Sequence, residues 1–368
     1  MLTAGKRLRG ALLGALVCLS LTARAQVTDM PCTPGMGIIP VCKVDRPEDL
    51  EALPGGKAVI VSEYGSLNGA RAGRLSLYRP DDDSVTRLYP PRADTDLLPD
   101  DGVRWGMSTC PGAPGSAFSP HGVHLSTVDG VLRLLVVNHG GRESIEMFEV
   151  ESADGGRDAR LRWRGCVMTP TNAWLNDVAG LPDGGLVTGH MVKRGTDQDT
   201  LLKMEASRIN TGFVWVWHAR DGWDHQRGSE GALPNGIQVS PDGSVLYVNY
   251  YFGDKVVAIE RASGKHLWEA DVAAPDNASW SNDGRLLIAS HRVGMKEISA
   301  CAKAETPTCI LPFAIVAIDV ATGNKTTVLE GGQLPMGAVT VAVPVGNRLL
   351  LGSYVGNRLG RIENIILQ

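Results

Sequence analysis

The stretch Ser240–Tyr251 reads SPDGSVLYVNYY and joins a turn signature directly to a short apolar run. Its Pro-Asp-Gly tripeptide suits a tight turn, because proline presets one backbone angle and glycine tolerates positive φ. The run that follows, LYVNYY, begins with leucine, tyrosine and valine and ends on one polar and two aromatic residues. This combination predicts a hairpin that enters a buried strand.

The same design recurs along the whole chain. Further turn signatures, LPGG, LPDG and SNDG, begin at Leu53, Leu181 and Ser281. Five other segments match the run: Ala58–Tyr64 (AVIVSEY), Leu134–His139 (LLVVNH), Leu186–Met191 (LVTGHM), Leu286–His291 (LLIASH) and Leu349–Tyr354 (LLLGSY). Six units of roughly 57 residues each are long enough for four-stranded blades with loops. The sequence therefore predicts an all-β, six-bladed β-propeller that forms a single domain over residues 26–368. A pair of β-sandwiches or another all-β arrangement is the alternative.

The first 25 residues have the features of a cleavable signal peptide. Lys6, Arg7 and Arg9 form a basic head, residues 10–22 form an apolar stretch, and Ala-Arg-Ala at 23–25 provides a small-residue cleavage site. We therefore predict that the protein is periplasmic or secreted. A retained membrane anchor is the alternative, but the apolar stretch is shorter than the ~20 residues of a spanning helix. No later segment is a candidate for a stable membrane span.

Charge and composition argue against two classes of partner. The chain has 368 residues, of which 43% are hydrophobic, and a formal net charge of -4, which fits a globular protein with a sizeable core. Charges of both signs are interspersed, and no basic run follows the first ten residues. This pattern predicts neither nucleic-acid binding nor attachment to an anionic membrane surface.

Cysteine usage fits an oxidising compartment. Removal of Cys18 with the signal peptide leaves six cysteines, an even number. Two pairs bracket short polar or proline-containing loops, and the third pair is what remains. The predicted disulfides are Cys32–Cys42, Cys301–Cys309 and Cys110–Cys166. A zinc site is the alternative, but the chain has no C-x-x-C and no paired Cys/His spacing.

Polar residues stand where the predicted inner strands would converge on a central channel. Residues at equivalent strand ends can meet there although they lie far apart in sequence. They are Glu48 and Asp49 in PEDLE, His121 in SPHGVHL, His139 in VVNHGG, Asn176 and Asp177 in WLNDV, Asn235 in LPNGI, and Asp276 and Asn277 in PDNAS. Their carboxylate and amide oxygens suit calcium better than zinc or magnesium. Each motif alone is also typical of a turn, so the prediction of a calcium-binding channel depends on their co-occurrence.

In these motifs the chain resembles the paraoxonase family of calcium-dependent lactonases and arylesterases. That family lies within a wider group of senescence-marker-protein, gluconolactonase and strictosidine-synthase-like propellers. The resemblance runs from about Val41 to Arg361 and consists of PEDLE, LPGG, SPHGVHL, LLVVNHGG, LND, LPNGIQVSPDG, DNAS and LLIASH in this order. An ordered set over most of the chain is more specific than any of its members.

The resemblance implies two calcium ions and a pair of catalytic histidines. The ligands of a catalytic calcium would be Glu48, Asn176, Asn235, Asp276 and Asn277. A structural calcium would be held by Asp49, Asp177 and the backbone carbonyl of Val123. One imidazole of His121 and His139 would remove a proton from the attacking water while the other assists, and His291 would contact the substrate.

The implied function is calcium-dependent opening of lactones and cleavage of aryl esters, with a small-molecule lactone or ester as substrate. Two alternatives remain, a sugar lactonase of the gluconolactonase type and a non-catalytic propeller in which calcium only holds the blades. A serine hydrolase has no support from a G-x-S-x-G motif. The terminal stretch RLGRIENIILQ lacks the cysteine that closes the ring in animal members, so closure is predicted to depend on strand pairing.

Overall fold

The computed structural model describes Met1 and residues 30–93, 97–170, 172–304 and 306–365. Apart from Met1, the predicted signal peptide lies outside these residues. No helix in the described ranges is long and apolar enough to cross a membrane.

Six sheets follow one another along the chain, and the strands are named here in sequence order. A short strand, β1 (Ile39–Val41), comes before them. The first sheet contains β2 (Pro47–Ala52), β3 (Val59–Glu63), β4 (Arg74–Arg79) and β5 (Ser84–Tyr89). The second contains β6 (Trp105–Gly106), β7 (Pro120–Val128), β8 (Val131–Asn138), β9 (Ser144–Ala153) and β10 (Asp158–Met168), with β6 added at the outer edge, parallel to β10.

The other four sheets have the same meander order. The third contains β11 (Ala173–Gly180), β12 (Leu186–Lys193), β13 (Phe213–His218) and β14 (Gly222–His225). The fourth contains β15 (Pro234–Val239), β16 (Val245–Tyr250), β17 (Lys255–Glu260) and β18 (His266–Asp271). The fifth contains β19 (Pro275–Trp280), β20 (Leu286–His291), β21 (Phe313–Ile318) and β22 (Lys325–Gly331). The sixth contains β23 (Val339–Val345), β24 (Arg348–Ser353) and β25 (Leu359–Ile362), together with β1.

When the short edge strand β6 is set aside, the first strand of each sheet faces the first strand of the next. Contacts run from β2 to β7, β11, β15, β19 and β23 and return to β2, so these six strands form the inner ring. The predicted six-bladed β-propeller is therefore confirmed. All six predicted apolar runs are second strands, and the four predicted turn signatures join first to second strands. Two helices, α1 (Gln198–Ser207) and α2 (Met295–Lys303), lie in the connections that follow β12 and β20.

The sixth blade is completed by the N-terminal strand. β1 pairs antiparallel with β25, from Ile39 opposite Arg361 to Val41 opposite Leu359. The guanidinium of Arg358, which is 1% exposed, also donates hydrogen bonds to the carbonyls of Met30 and Pro31. Strand pairing thus closes the ring, as predicted.

The three predicted disulfides, Cys32–Cys42, Cys110–Cys166 and Cys301–Cys309, are all present. The zinc alternative therefore fails, because each of the six cysteines that it would need is bonded to another cysteine. Cys110–Cys166 joins the loop after β6 to β10, across 56 residues of sequence.

Removal of this longest disulfide should destabilise the outer edge of the second blade. A link across a loop of this length constrains the unfolded chain, so replacing Cys110 and Cys166 together by alanine is expected to lower the free energy of unfolding by about 2–4 kcal/mol. The matched control removes Cys32–Cys42, whose separation is 10 residues. Denaturant titration should show the larger loss for the longer loop, and equal losses would contradict the chain-entropy explanation.

Candidate active site

All six inner strands break register at the same place, near their first residues. The breaks fall between Pro47 and Asp49, Pro120 and Val123, Leu175 and Val178, Pro234 and Ile237, Pro275 and Ala278, and Val339 and Val341. A β-bulge adds a residue to one strand and re-aims its side chains, and such bulges are frequent beside active sites. Six of the eight predicted calcium ligands and His121 lie within these breaks, and the other two ligands, Asp49 and Val123, are the residues at which pairing resumes.

Two glycines in the breaks allow neighbouring strands to approach closely. A Cβ atom at Gly122 would lie 2.6 Å from Asp177 Cα, and one at Gly236 would lie 2.3 Å from the carbonyl oxygen of Asp276. Any other residue would collide with the backbone of the next blade. The glycines of PHG and PNG therefore bring the polar groups of adjacent blades together.

The five residues predicted to bind a catalytic calcium are buried at one end of the inner ring. Asn277 Nδ2 donates to Glu48 Oε1 at 2.9 Å, and the Asn235 side chain hydrogen-bonds to Asp276. Four buried oxygens of the set, however, have no hydrogen-bond partner among the described residues. They are Glu48 Oε2, Asn176 Oδ1, Asn235 Oδ1 and Asn277 Oδ1. A buried oxygen without a hydrogen-bond donor is costly. These four oxygens are therefore suited to coordinate a cation.

The predicted structural-calcium residues also join neighbouring blades directly. Asp49 Oδ2 accepts a hydrogen bond from the amide of Val123 at 2.7 Å, and Asp177 Oδ2 accepts one from the amide of Ile237 at 2.8 Å. At Val123 the observed contact is therefore made by the N–H group. Coordination by its carbonyl oxygen remains a prediction.

Burial raises the pKa of four carboxyl groups in this cluster, and neighbouring charges add to the effect at three of them. Burial is the main cause for Glu48, followed by the charges of Asp49 and Asp276, and its pKa lies well above the usual range. Burial raises the pKa of Asp49 to about 7 and that of Asp276 to about 8. Burial and the charge of Asp49 raise the pKa of Asp177 in the same way. A bound cation would relieve this repulsion.

Amide oxygens are essential to any metal site here. Within the described ranges, no three His, Cys, Asp or Glu side chains are grouped so as to hold a metal ion by themselves. A site built from Glu48 and Asp276 alone would be incomplete, and the amides of Asn176, Asn235 and Asn277 would have to complete it. Such a mixed oxygen set favours a large, hard cation with many ligands, which is the preference of calcium.

His121 and His139 form a hydrogen-bonded pair beside this cluster. His121 Nδ1 lies 2.9 Å from His139 Nε2, and His121 Nε2 lies 3.7 Å from Glu48 Oε1. Burial, and then the proximity of His139, lowers the pKa of His121 well below its usual range. Tyr64 packs on His121 with ring centroids 4.7 Å apart. The pair predicted from the sequence is therefore in contact, and its members lie on β7 and directly after β8.

Glu143 extends the histidine pair and is a residue that the sequence analysis missed. Both of its carboxylate oxygens lie 3.0 Å from His139 Nδ1, and Oε1 also accepts a hydrogen bond from the amide of Leu175 at 2.9 Å. Glu143 is only 6% exposed. Its position four residues after His139 was a possible signal, but spacing within a loop does not predict contact.

His291 lies on the opposite side of the cluster. Its Nδ1 is 2.8 Å from the hydroxyl of Tyr251 and 3.7 Å from Asp276 Oδ2, whereas Nε2 has no partner in the part of the chain that the structure describes. Burial lowers the pKa of His291 to about 4. His291 and Tyr251 also line a cavity of about 400 Å³. This placement agrees with the predicted substrate contact without testing it.

An apolar cluster adjoins Tyr251 at this end of the ring. Its buried members are Trp174, Met191, Val192, Ala232, Leu233, Tyr251, Phe252 and Ala274. Leu201 and Met204 of α1 and Met295 of α2 pack against them. Trp174 and Leu233 each stand two residues before a predicted ligand, Asn176 and Asn235. The indole N–H of Trp174 lacks a partner within the described ranges.

Thr340 occupies the sixth position of the ring of bulges and was also missed. Its hydroxyl donates a 2.6 Å hydrogen bond to the carbonyl of Glu48, which ties the sixth blade to the first. The stretch Val339–Val345 reads as a plain apolar strand. Only the equivalence of the six bulges identifies Thr340 as a counterpart of the ligand positions.

Comparisons with known proteins agree with this fold and place the chain among hydrolases. A family model described as Arylesterase matches residues 43–359. A search of curated proteins finds no match. Among solved structures, a luciferin-regenerating enzyme is 13% identical with a TM-score of 0.51, and the match covers 89% of this chain and 96% of that one. A gluconolactonase from Xanthomonas campestris is 16% identical with a TM-score of 0.50, and the match covers 89% of each chain. At such identities these two structures support the fold alone.

Proposed function

This chain belongs to the arylesterase family, and we propose on that basis that it is a calcium-dependent hydrolase that opens lactones and cleaves aryl esters. One observation carries the calcium part of the proposal. Four buried side-chain oxygens on four inner strands have no hydrogen-bond partner among the described residues, and all four belong to the predicted ligand set. Buried oxygens that receive no hydrogen bond and lie next to carboxyl groups that repel one another are suited to bind a cation.

The residues fit calcium in two groups. Glu48, Asn176, Asn235, Asp276 and Asn277 would hold the ion next to the histidine pair. Asp49 and Asp177, whose carboxylates already bridge two blades each, would hold a second ion with the carbonyl of Val123. When bound next to the histidines, calcium would supply Lewis-acid polarisation of the ester carbonyl.

The chain's own residues would handle the proton. His121 Nε2, which faces Glu48 across 3.7 Å, would accept a proton from the attacking water as a general base. His139, 2.9 Å from the other nitrogen of His121, would share the positive charge that develops. The burial of both rings excludes bulk water, which strengthens these interactions.

The substrate would lie between the histidine pair and His291. Tyr251 orients His291 through their 2.8 Å hydrogen bond. The apolar cluster around Trp174 would contact the acyl part. The indole N–H of Trp174 would then find an acceptor in a substrate oxygen.

The disulfides indicate where this activity takes place. Three disulfides within 368 residues are typical of extracellular or periplasmic proteins. Calcium is also far more available outside the cytosol. Cleavage of the predicted signal peptide after Ala25 completes this proposal.

The test is a lactonase and esterase assay of the mature chain from Gln26 onward, on γ- and δ-lactones and phenyl acetate. Hydrolysis should require calcium, stop with chelator and return when calcium is restored. Hydrolysis that persists in chelator would contradict the metal requirement. Calcium binding without turnover of any ester would instead identify a non-catalytic propeller.

The His121→Gln variant should lose most of its activity but keep its calcium. Loss of a general base is expected to lower kcat by about 10²–10⁴-fold, with little change in KM. Calcium affinity from titration calorimetry should match that of the native protein, since His121 is not among the proposed ligands. His266→Gln, at a half-exposed histidine, is the control. A kcat within threefold of native would favour a metal-only site of the gluconolactonase type.

A further inference from the structure

We propose that Glu143 is the positioning residue for the histidine pair, holding the proton of His139 on Nδ1 and thereby leaving His121 Nε2 free to accept a proton. This inference rests on the proposed hydrolase function and deepens it. It concerns a residue outside the predicted ligand and catalytic sets, and it begins from one chain of contacts, Glu143 to His139 to His121.

The geometry allows one arrangement of protons along this chain. Glu143 Oε1 already accepts from the amide of Leu175, and both carboxylate oxygens lie 3.0 Å from His139 Nδ1. A carboxylate accepts hydrogen bonds, so His139 Nδ1 must carry the donated proton. His139 Nε2 is then the acceptor, and His121 Nδ1, 2.9 Å away, is the donor. The lone pair of His121 Nε2 is left facing the channel.

Proton transfer along the chain then balances. An O–H bond of water breaks and an N–H bond forms at His121 Nε2, while the proton on His121 Nδ1 can shift to His139 Nε2. The proton on His139 Nδ1 stays in its hydrogen bond with Glu143, which stabilises the cationic pair. The oxygen of that water forms a C–O bond to the carbonyl carbon, the original ester C–O bond breaks, and the reverse path protonates the departing alkoxide or phenoxide oxygen. A carboxylate has the same orienting role behind a histidine in other hydrolases.

Hydrogen bonds fix the backbone of the loop that carries Glu143. The Asn138 side chain accepts hydrogen bonds from the amides of Ser119 and Gly140 and donates to the carbonyls of Gly140 and Arg142. The backbone carbonyl of Glu143 accepts a further bond from the Thr169 hydroxyl at 3.1 Å. Arg194 Nη1 lies 3.9 Å from Oε2. These bonds hold the loop backbone, while the carboxylate itself contacts His139, the Leu175 amide and Arg194.

The first test compares Glu143→Gln with Glu146→Gln. Glu146 is a fully buried glutamate of the same blade that accepts hydrogen bonds from Arg142, Ser144 and Trp163, and it contacts neither histidine. Both variants remove a buried carboxylate, but only Glu143→Gln removes the one at His139. We expect kcat to fall by about 10²–10⁴-fold in Glu143→Gln, with KM within threefold of native, and to change little in Glu146→Gln. Glu143→Asp should recover part of the loss.

The second test determines which ring nitrogen of His139 is protonated, and it does not require the enzyme to turn over substrate. In ¹⁵N spectra of the calcium-loaded native protein, His139 should show a protonated Nδ1 and an unprotonated Nε2, and this preference should weaken or reverse in Glu143→Gln. Against a His139→Gln background, Glu143→Gln should cause no further loss of kcat, because the two act as one unit.

These readouts separate two failures. If the native protein hydrolyses nothing on the panel, the proposed function fails, while the ¹⁵N spectra still decide whether Glu143 sets the tautomer. If the native protein is active and Glu143→Gln keeps both its kcat and the native tautomer, the positioning role of Glu143 is overturned.

Discussion

Asp276→Asn should abolish hydrolysis and at the same time make the calcium-free protein more stable. The first effect follows because Asp276 is one of only two carboxylates in the proposed catalytic set, the other being Glu48. Asp276 would hold the calcium that stabilises the developing oxyanion, so its loss is expected to lower kcat by at least 10²–10³-fold. Calcium affinity measured by titration should fall in parallel.

The stability effect has the opposite sign because the carboxylate is buried among others. Burial, with a contribution from Asp49, raises the pKa of Asp276 to about 8, so its charge is unfavourable without a cation. In chelator, the neutral amide is expected to raise the free energy of unfolding by about 1–4 kcal/mol, because it removes the cost of keeping a carboxyl group with a raised pKa buried near neutral pH. In saturating calcium the native protein should be the more stable of the two.

Thermal denaturation with and without calcium, alongside Asp224→Asn as control, decides this prediction. Asp224 is exposed on β14, so its variant should follow the native protein in both conditions. If Asp276→Asn is less stable than native even in chelator, the carboxylate has a structural role that needs no metal.

Val41→Asp should lower the free energy of unfolding far more than a substitution at an exposed position of the same segment. Val41 is 4% exposed and belongs to the apolar cluster that joins the sixth blade to the first, with Leu350 and Leu359 on one side and Val59 and Val61 on the other. The loss of valine burial and the introduction of an unpaired carboxylate together are expected to cost roughly 3–5 kcal/mol.

The matched control is Met36→Asp, five residues earlier, where the side chain is 69% exposed. Guanidinium titration should show a lower midpoint for Val41→Asp and a native midpoint for Met36→Asp. Equal midpoints for Val41→Asp and native would mean that β1 contributes nothing to ring closure.

The repeated part of the fold could be predicted from the sequence because it depends on local chemistry. The apolar runs mark the second strand of all six blades, and the turn signatures mark the preceding turn in four of them. β1 was not predicted as a strand, because three residues, Ile39–Val41, give no periodicity. The cysteines close to it, Cys32 and Cys42, were paired correctly by their short spacing.

The sequence predicted only those site residues that belong to motifs recurring at equivalent strand ends along the chain. Glu48, His121, Asn176, Asn235 and Asp276 were found by their positions at equivalent strand ends, and the structure places each of them in a bulge. The bulges themselves leave no mark in the sequence, since a break in register depends on the neighbouring strand. Thr340 was missed for the same reason, because its contact is made with the first blade. Glu143 was missed because spacing within a loop does not predict its contact with His139.

Closure of the ring by β1 also dictates when the protein can finish folding. The strand leaves the ribosome among the first and its partner, β25, among the last, so almost the entire chain must be made before the sixth blade is whole. Contacts between such distant residues form slowly, and the ring stays open until they do. If the chain is exported as proposed, this delay leaves time for it to be threaded through a membrane before its two ends meet.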